Sequence, residues 1–113
     1  MSDDFYCEEV LSGKTPVDVL IETPLVLAYA HTRPFWEVHY VVIPKQHVAS
    51  FLTIGETDAE LLLELLKVVR EVASRVVAEH GAARILTNLG DYQESKHLHF
   101  HVNSGSQIRP DQL

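Results

Sequence analysis

Lys96-His97-Leu98-His99-Phe100-His101-Val102 is the segment on which the reading of this chain turns. Three histidines alternate with three apolar residues. Along an extended chain successive side chains point to opposite faces, so His97, His99 and His101 project together and Leu98, Phe100 and Val102 project the other way. Same-face neighbours then stand about 6 to 7 Å apart. The pattern predicts a strand from Lys96 to Val102 with one reactive face and one face that needs a hydrophobic cover. Imidazole titrates near neutral pH, so a line of three offers groups that accept a proton, donate one or attack an electrophile.

Two chemistries suit such a line. Imidazole is a common zinc ligand, and His-x-His on a strand is workable ligand spacing. Alternatively, one imidazole attacks phosphorus while its neighbours bind phosphate and manage protons. The bland alternative is a solvated polar face, which does not by itself select histidine three times in succession. A structural zinc site would want thiolates, and Cys7 has no second cysteine two residues away. The spacing leaves both chemistries open.

Outward from this segment, the chain reads as alternating short strands and one helix. Val17 to Glu22 and Leu25 to Ala30 form two strands divided by Thr23-Pro24. His39-Tyr40-Val41-Val42-Ile43 is apolar on both faces and predicts a central, doubly covered strand ending at Pro44. Asp58 to His80 forms the long helix. Thr57 and Glu60 have capping-box spacing at its start, and Gly81 favours the left-handed stop. Its buried stripe is Leu61, Leu62, Leu65, Val69, Val72, Ala73 and Val76, with the pairs Glu64–Lys67 and Glu71–Arg75 on the solvated side. Core packing is the ordinary use of such a stripe. Ala83 to Leu89 forms a further strand, and Gly90 to Gln93 a loop before the histidines. Phe5 to Leu11 forms a helical turn or two closed by Gly13. The expected fold class is α+β: one domain over residues 1–113, with about five mostly antiparallel strands and one long helix.

Composition agrees with this and narrows the partners. The 113 residues are 46% hydrophobic and 22% charged, which suits a single compact core and not a disordered chain. A net charge of −7 argues against duplex nucleic acid as a partner, while a small nucleotide needs only a few placed donors. No run of about 18 apolar residues predicts a membrane span. The acidic Met1-Ser2-Asp3-Asp4 and the single cysteine lead to the expectation of a cytoplasmic protein.

His97-Leu98-His99-Phe100-His101-Val102-Asn103 resembles the histidine-triad signature, His-φ-His-φ-His-φ-φ, departing from it only at Asn103. Val26-Leu27-Ala28-Tyr29 and His39-Tyr40-Val41-Val42-Ile43-Pro44-Lys45-Gln46-His47 also resemble that family's second and third strands. The likeness spans nearly the whole chain and points to the compact, nucleoside-phosphoramidase-like branch of the histidine-triad (HIT) family. It implies a homodimer whose two five-stranded sheets join into one of ten strands. It implies a purine nucleotide or nucleoside phosphoramidate as partner; no cofactor and no metal are expected. His99 would attack the α-phosphorus and form a nucleotidyl-histidine, His101 would contact phosphoryl oxygens, and His97 would support proton transfer. Asn88, Gln93, Tyr29 and His31 would belong to the nucleotide site.

Three departures bear on the substrate. His31, two residues after Tyr29, stands where the branch has a carboxylate for the ribose hydroxyls. Tyr92 replaces a loop glycine in the shortened Gly90-Asp91-Tyr92. Cys7 lacks the paired cysteine of zinc-bearing relatives. They keep two other expectations in play: a nucleotide-binding protein of this fold with little turnover, and a protein that binds metal through its strand histidines.

Overall fold

A computed structural model describes residues 6–55 and 58–109. Its elements are a short helical turn at Tyr6–Val10, β1 at Val19–Glu22, β2 at Val26–Ala30, β3 at Trp36–Pro44, α1 at Ala59–His80, β4 at Arg84–Leu86, a 3-10 turn at Gly90–Tyr92 and β5 at Phe100–Gln107. The five strands form one sheet in the order β1-β2-β3-β5-β4, and every neighbouring pair is antiparallel. The α+β expectation of a five-stranded sheet and one long helix holds.

The sheet separates two apolar clusters. On one side Val26, Ala28, Val42, Phe100 and Val102 meet Leu61, Leu65, Val68, Val69, Val72 and Val76 of α1. This is the predicted helix stripe with Val68 added, while Leu62 and Ala73 are half-buried. At about 1.5 Å per residue α1 is roughly 33 Å long, enough to cover that face. On the other side Leu27, Tyr29, Val41 and Ile43 are closed over by Tyr6 and Val10. β3 is therefore covered on both faces, as its unbroken apolar sequence requires.

Helix ends follow local chemistry. Gly81 adopts φ 86°, and its N–H donates to Val77 O at 2.8 Å, the left-handed termination predicted. The N-terminal expectation is revised. Asp58 occupies the cap without bonding the helix N–H groups, and its Oδ2 instead accepts from the Gly55 N–H at 2.9 Å. The capping partner expected, Thr57, lies outside the described residues. Arg75 and Glu71 form the predicted pair at 3.0 Å.

Several strand boundaries differ from expectation: β3 already begins at Trp36, and β5 runs on to Gln107. β4 ends at Leu86, so Asn88 follows the strand. β5 begins at Phe100, so His97 and His99 lie before the ladder. The backbone there pairs elsewhere: the Leu98 N–H donates to Val48 O at 2.6 Å, and Thr87 Oγ1 donates to His99 O at 2.8 Å. The alternation nonetheless survives, with Leu98, Phe100 and Val102 in the helix-side core. β5 runs on through Gly105, whose φ of 83° suits glycine, and whose absent side chain leaves room for Glu37 to accept from the Ser106 N–H at 2.6 Å.

Candidate active site

The three histidines gather on the sheet face opposite α1, in the order the sequence implies but from two kinds of backbone. His101 sits within β5, paired with Val41 on one side and Leu86 on the other. His97 and His99 sit in the approach to β5. The rings of His99 and His101 are 5.0 Å apart at 81°, and Tyr6 packs on both His99 and His97 at 4.8 and 5.8 Å. All three histidines are buried.

Hydrogen bonds fix what each ring offers. His99 Nδ1 lies 2.7 Å from the carbonyl oxygen of His97. A carbonyl only accepts, so Nδ1 carries the hydrogen and the neutral ring keeps its lone pair on Nε2. Burial holds the His99 pKa below the ordinary imidazole value, and the neighbouring His97 pushes the same way against the hydrogen bond to the His97 backbone. The ring is thus an uncharged base with one free lone pair. Thr87 fixes the backbone beneath it.

The rings of His97 and His99 differ in what they face. His97 Nε2 donates to Pro44 O at 2.8 Å, which leaves its Nδ1 lone pair directed at Cys7 Sγ, 3.3 Å away. Both ring nitrogens of His97 are thus engaged, and it is the backbone carbonyl of His97 that bonds the His99 ring. His47 completes this corner, its ring 5.3 Å from that of His97 and its Nδ1 3.9 Å from Cys7 Sγ. One ligand atom from each of Cys7, His47 and His97 lies within 4.8 Å of the other two. A thiolate and two imidazoles at that separation fit a zinc-like ion, with His97 already in the required tautomer. Nothing in the linear sequence places Cys7 beside His97, 90 residues away.

A second group lies at the other end of the triad. His39, in β3, is 2.9 Å from His101 through Nε2 and Nδ1. His31 follows β2, donates its N–H to His39 O at 2.9 Å, and stacks on the His39 ring at 4.3 Å. Burial lowers all three pKa values, to about 4 for His31 and about 3 for His39; repulsion from His99 adds to it at His31 and His101, and repulsion from His31 at His39 and His101. All three rings are neutral at physiological pH. His101 Nε2 is buried and has no hydrogen-bond partner among the described residues.

The remaining expected residues sit as follows. Gln93 is buried, and its amide hydrogens go to Ala49 O at 2.7 Å and Ser95 O at 2.9 Å, so it holds the loop and leaves only Oε1 free to accept. Lys96 Nζ ties the same loop through Gln93 O at 2.9 Å and Gly90 O at 3.3 Å. Tyr29 is enclosed in the apolar cluster under Tyr6, where burial raises its pKa. Asn88 is half-buried between β4 and the 3-10 turn. Cys7, His39 and Thr87 stand beside the triad without having been among the expected site residues. His39 and His47 do carry a signal in the sequence, as the two histidines of the His39 to His47 stretch.

Comparison with known proteins agrees with this geometry. The family model described as HIT domain matches residues 12–108, and the chain belongs to that family. An uncharacterized HIT-like protein of Helicobacter pylori is 31% identical over 102 residues, covering 88% of this chain and 95% of the relative. A 13.2 kDa HIT-like protein of Azospirillum brasilense is 34% identical over 105 residues, covering 89% and 85%. Among solved structures, a HIT family hydrolase from Legionella pneumophila superposes with a TM-score of 0.79 at 28% identity, covering 95% of this chain and 96% of that one. A histidine triad nucleotide-binding protein from Sulfolobus tokodaii, itself described as hypothetical, superposes at 0.77 and 27% identity, covering 88% and 67%.

Proposed function

We propose that this protein is a nucleotide hydrolase or transferase that cleaves nucleoside phosphoramidates, or related nucleotides, at the α-phosphate through a nucleotidyl-histidine. The observation that carries this reading is the 2.7 Å contact between His99 Nδ1 and His97 O, which leaves Nε2 as a neutral, buried lone pair. That lone pair forms an Nε2–P bond while the P–N bond to the amine breaks. The amine keeps the bonding pair and takes a proton from solvent. The resulting nucleotidyl-imidazolium is held by the His97 carbonyl through Nδ1–H. Water then attacks phosphorus, the Nε2–P bond breaks, and His99 returns to its neutral state with release of a proton. His101 Nε2, buried and without a hydrogen-bond partner among the described residues, supplies the donor for a phosphoryl oxygen. His31, Asn88, Gln93 and Tyr29 are the candidate nucleotide-binding residues. Relatives described as a hydrolase and as a nucleotide-binding protein support the same reading.

The working molecule in this proposal is a cytoplasmic homodimer. β4 is a sheet edge carrying the exposed Ile85, and α1 carries exposed Leu63, Leu66 and Val77 outside its core stripe. Joining two such edges gives the ten-stranded sheet. No helix among the described residues is long and apolar enough to cross a membrane. Incubation with adenosine 5′-phosphoramidate tests the activity: AMP release, with an adenylylated His99 peptide trapped at low pH, supports it. Binding of AMP without any release favours a nucleotide-binding protein with little turnover.

A second reading has its own observation. The Cys7, His47 and His97 trio favours bound metal at the far end of the triad. Elemental analysis of protein purified without added metal, alongside Cys7→Ser, tests it.

A further inference from the structure

We propose that His39 is a positioning residue that locks His101 in the tautomer protonated on Nε2, so that the site meets phosphoryl oxygen with a fixed N–H donor. The relay begins at a backbone amide. The Phe35 N–H donates to His39 Nδ1 at 3.1 Å, and an amide N–H cannot accept. His39 Nδ1 is therefore unprotonated, and the neutral ring carries its hydrogen on Nε2. That Nε2–H faces His101 Nδ1 at 2.9 Å, so Nδ1 is the acceptor. The hydrogen of neutral His101 then lies on Nε2, the buried atom with no partner among the described residues. Two hydrogen bonds in series thus carry the polarity of one loop amide to the face that His99 shares.

Sheet register makes the relay stiff. His39 pairs with Asn103 across β3 and β5, which makes His101 its diagonal neighbour on the same face. His31 stacks on the outer face of the His39 ring, and its own Nδ1 accepts from the Arg33 N–H at 3.0 Å. The same bonds decide against a competing use of these rings. His31, His39 and His101 have ligand atoms within 4.8 Å of one another, close enough for a metal ion. A metal needs lone pairs, yet the Nδ1 lone pairs of His31 and His39 are taken by backbone amides, their Nε2 atoms bear hydrogens, and the Nδ1 lone pair of His101 is taken by His39. What the trio leaves to offer is N–H donors, at His31 and His101.

This inference rests on the reading of His101 as the phosphoryl contact for its use, though not for its test. Nitrogen-15 two-bond correlation spectra of the substrate-free protein report each histidine tautomer directly. Expected for wild type is an Nε2-protonated His101 and an Nε2-protonated His39. His39→Gln keeps a donor toward His101 and retains both the tautomer and turnover to within about tenfold. His39→Glu presents an acceptor, draws the hydrogen onto His101 Nδ1, and lowers turnover about a hundredfold or more, the usual effect of losing one preorganised donor. An Nδ1-protonated or rapidly exchanging His101 in wild type overturns the proposal, as does an unchanged His101 tautomer in folded His39→Glu. Chemical-shift changes at His31, His39 and His101 together on adding Zn²⁺ would also overturn it. If the tautomer is as stated and no nucleotide is cleaved, the proposed activity falls and the relay stands.

Discussion

The carbonyl oxygen of His97 accepts the Nδ1 hydrogen of His99 at 2.7 Å, so the first histidine of the triad orients the second through its backbone and not its ring. The His97 ring is turned to Pro44 and Cys7 instead. From this follows an asymmetry between the two positions. His99→Ala abolishes turnover and leaves AMP binding within about threefold, because what is lost is bond formation to phosphorus. His97→Gln keeps the carbonyl and retains a measurable rate, provided the protein folds. Steady-state AMP release and equilibrium binding on both variants check this, and near-normal turnover in His99→Ala sinks the nucleophile assignment.

Buried neutral histidines give a pH dependence whose sign is fixed. The unfolded chain binds protons on these rings near the ordinary value of about 6.5. The folded chain resists until about 4 at His31 and about 3 at His39, burial being the main cause. Below about pH 6.5 the unfolded state therefore holds more protons, and stability falls as pH falls. The contribution is complete above that value and is lost progressively toward about pH 4 for His31 and about pH 3 for His39. Denaturant melts at pH 7.5, 6.0 and 5.0 should show declining midpoints; midpoints that are level or rising toward pH 5 contradict it. For the same reason the acid limb of turnover lies below the ordinary imidazole range, since His99 keeps its lone pair there.

Edge exposure leads to an assembly prediction. Light scattering at micromolar concentration should give about twice the 12.7 kDa chain mass. Ile85→Glu places a charge in the β4 edge and should shift the species toward monomer without unfolding it, because Ile85 is 52% exposed in the single chain. A wild-type monomer at that concentration removes the ten-stranded sheet.

His31 sets the expected response to the sugar. Its Nδ1 is occupied by the Arg33 N–H, so a ligand meets only an Nε2–H donor. A carboxylate there would accept two hydrogen bonds from a ribose diol. Gain of a charge-assisted bond is worth about 1.5–3 kcal/mol, or roughly ten- to a hundredfold. His31→Asp should thus tighten binding of AMP relative to its 2′,3′-dideoxy counterpart by that factor, read by calorimetry. An equal effect on both nucleotides places the sugar elsewhere.

Helix cover can be tested at its centre. Leu65 is fully buried between α1 and the sheet. Leu65→Ala should destabilise the fold by about 2–5 kcal/mol in chemical denaturation, the range for a core leucine truncated to alanine. A loss below about 1 kcal/mol would mean that the helix packs less tightly on β2, β3 and β5 than described.

Periodicity decided a good deal of this molecule. The 3.6-residue recurrence from Leu61 to Val76 and the alternation from Leu98 to Val102 both report which side of an element meets the core, and that choice is made by burial alone. The central position of β3 followed from its lack of any polar face. Strand ends depend instead on hydrogen-bond partners, which periodicity does not report. Leu98 pairs its amide with Val48, and β4 stops at Leu86, because loop partners distant in sequence supply what a ladder would have supplied.

The sequence by itself determined the fold class, the long helix, the buried stripe and the three histidines on one face, since each depends on side-chain period and local steric preference. Tertiary structure alone decided what those histidines can do. The rings of His97 and His99 differ in role because Pro44, Cys7 and the His97 carbonyl stand where they do, and His101 is a donor because Phe35 lies behind His39. A tautomer is set by the partner of the opposite ring nitrogen, and that partner arrives from another strand or loop.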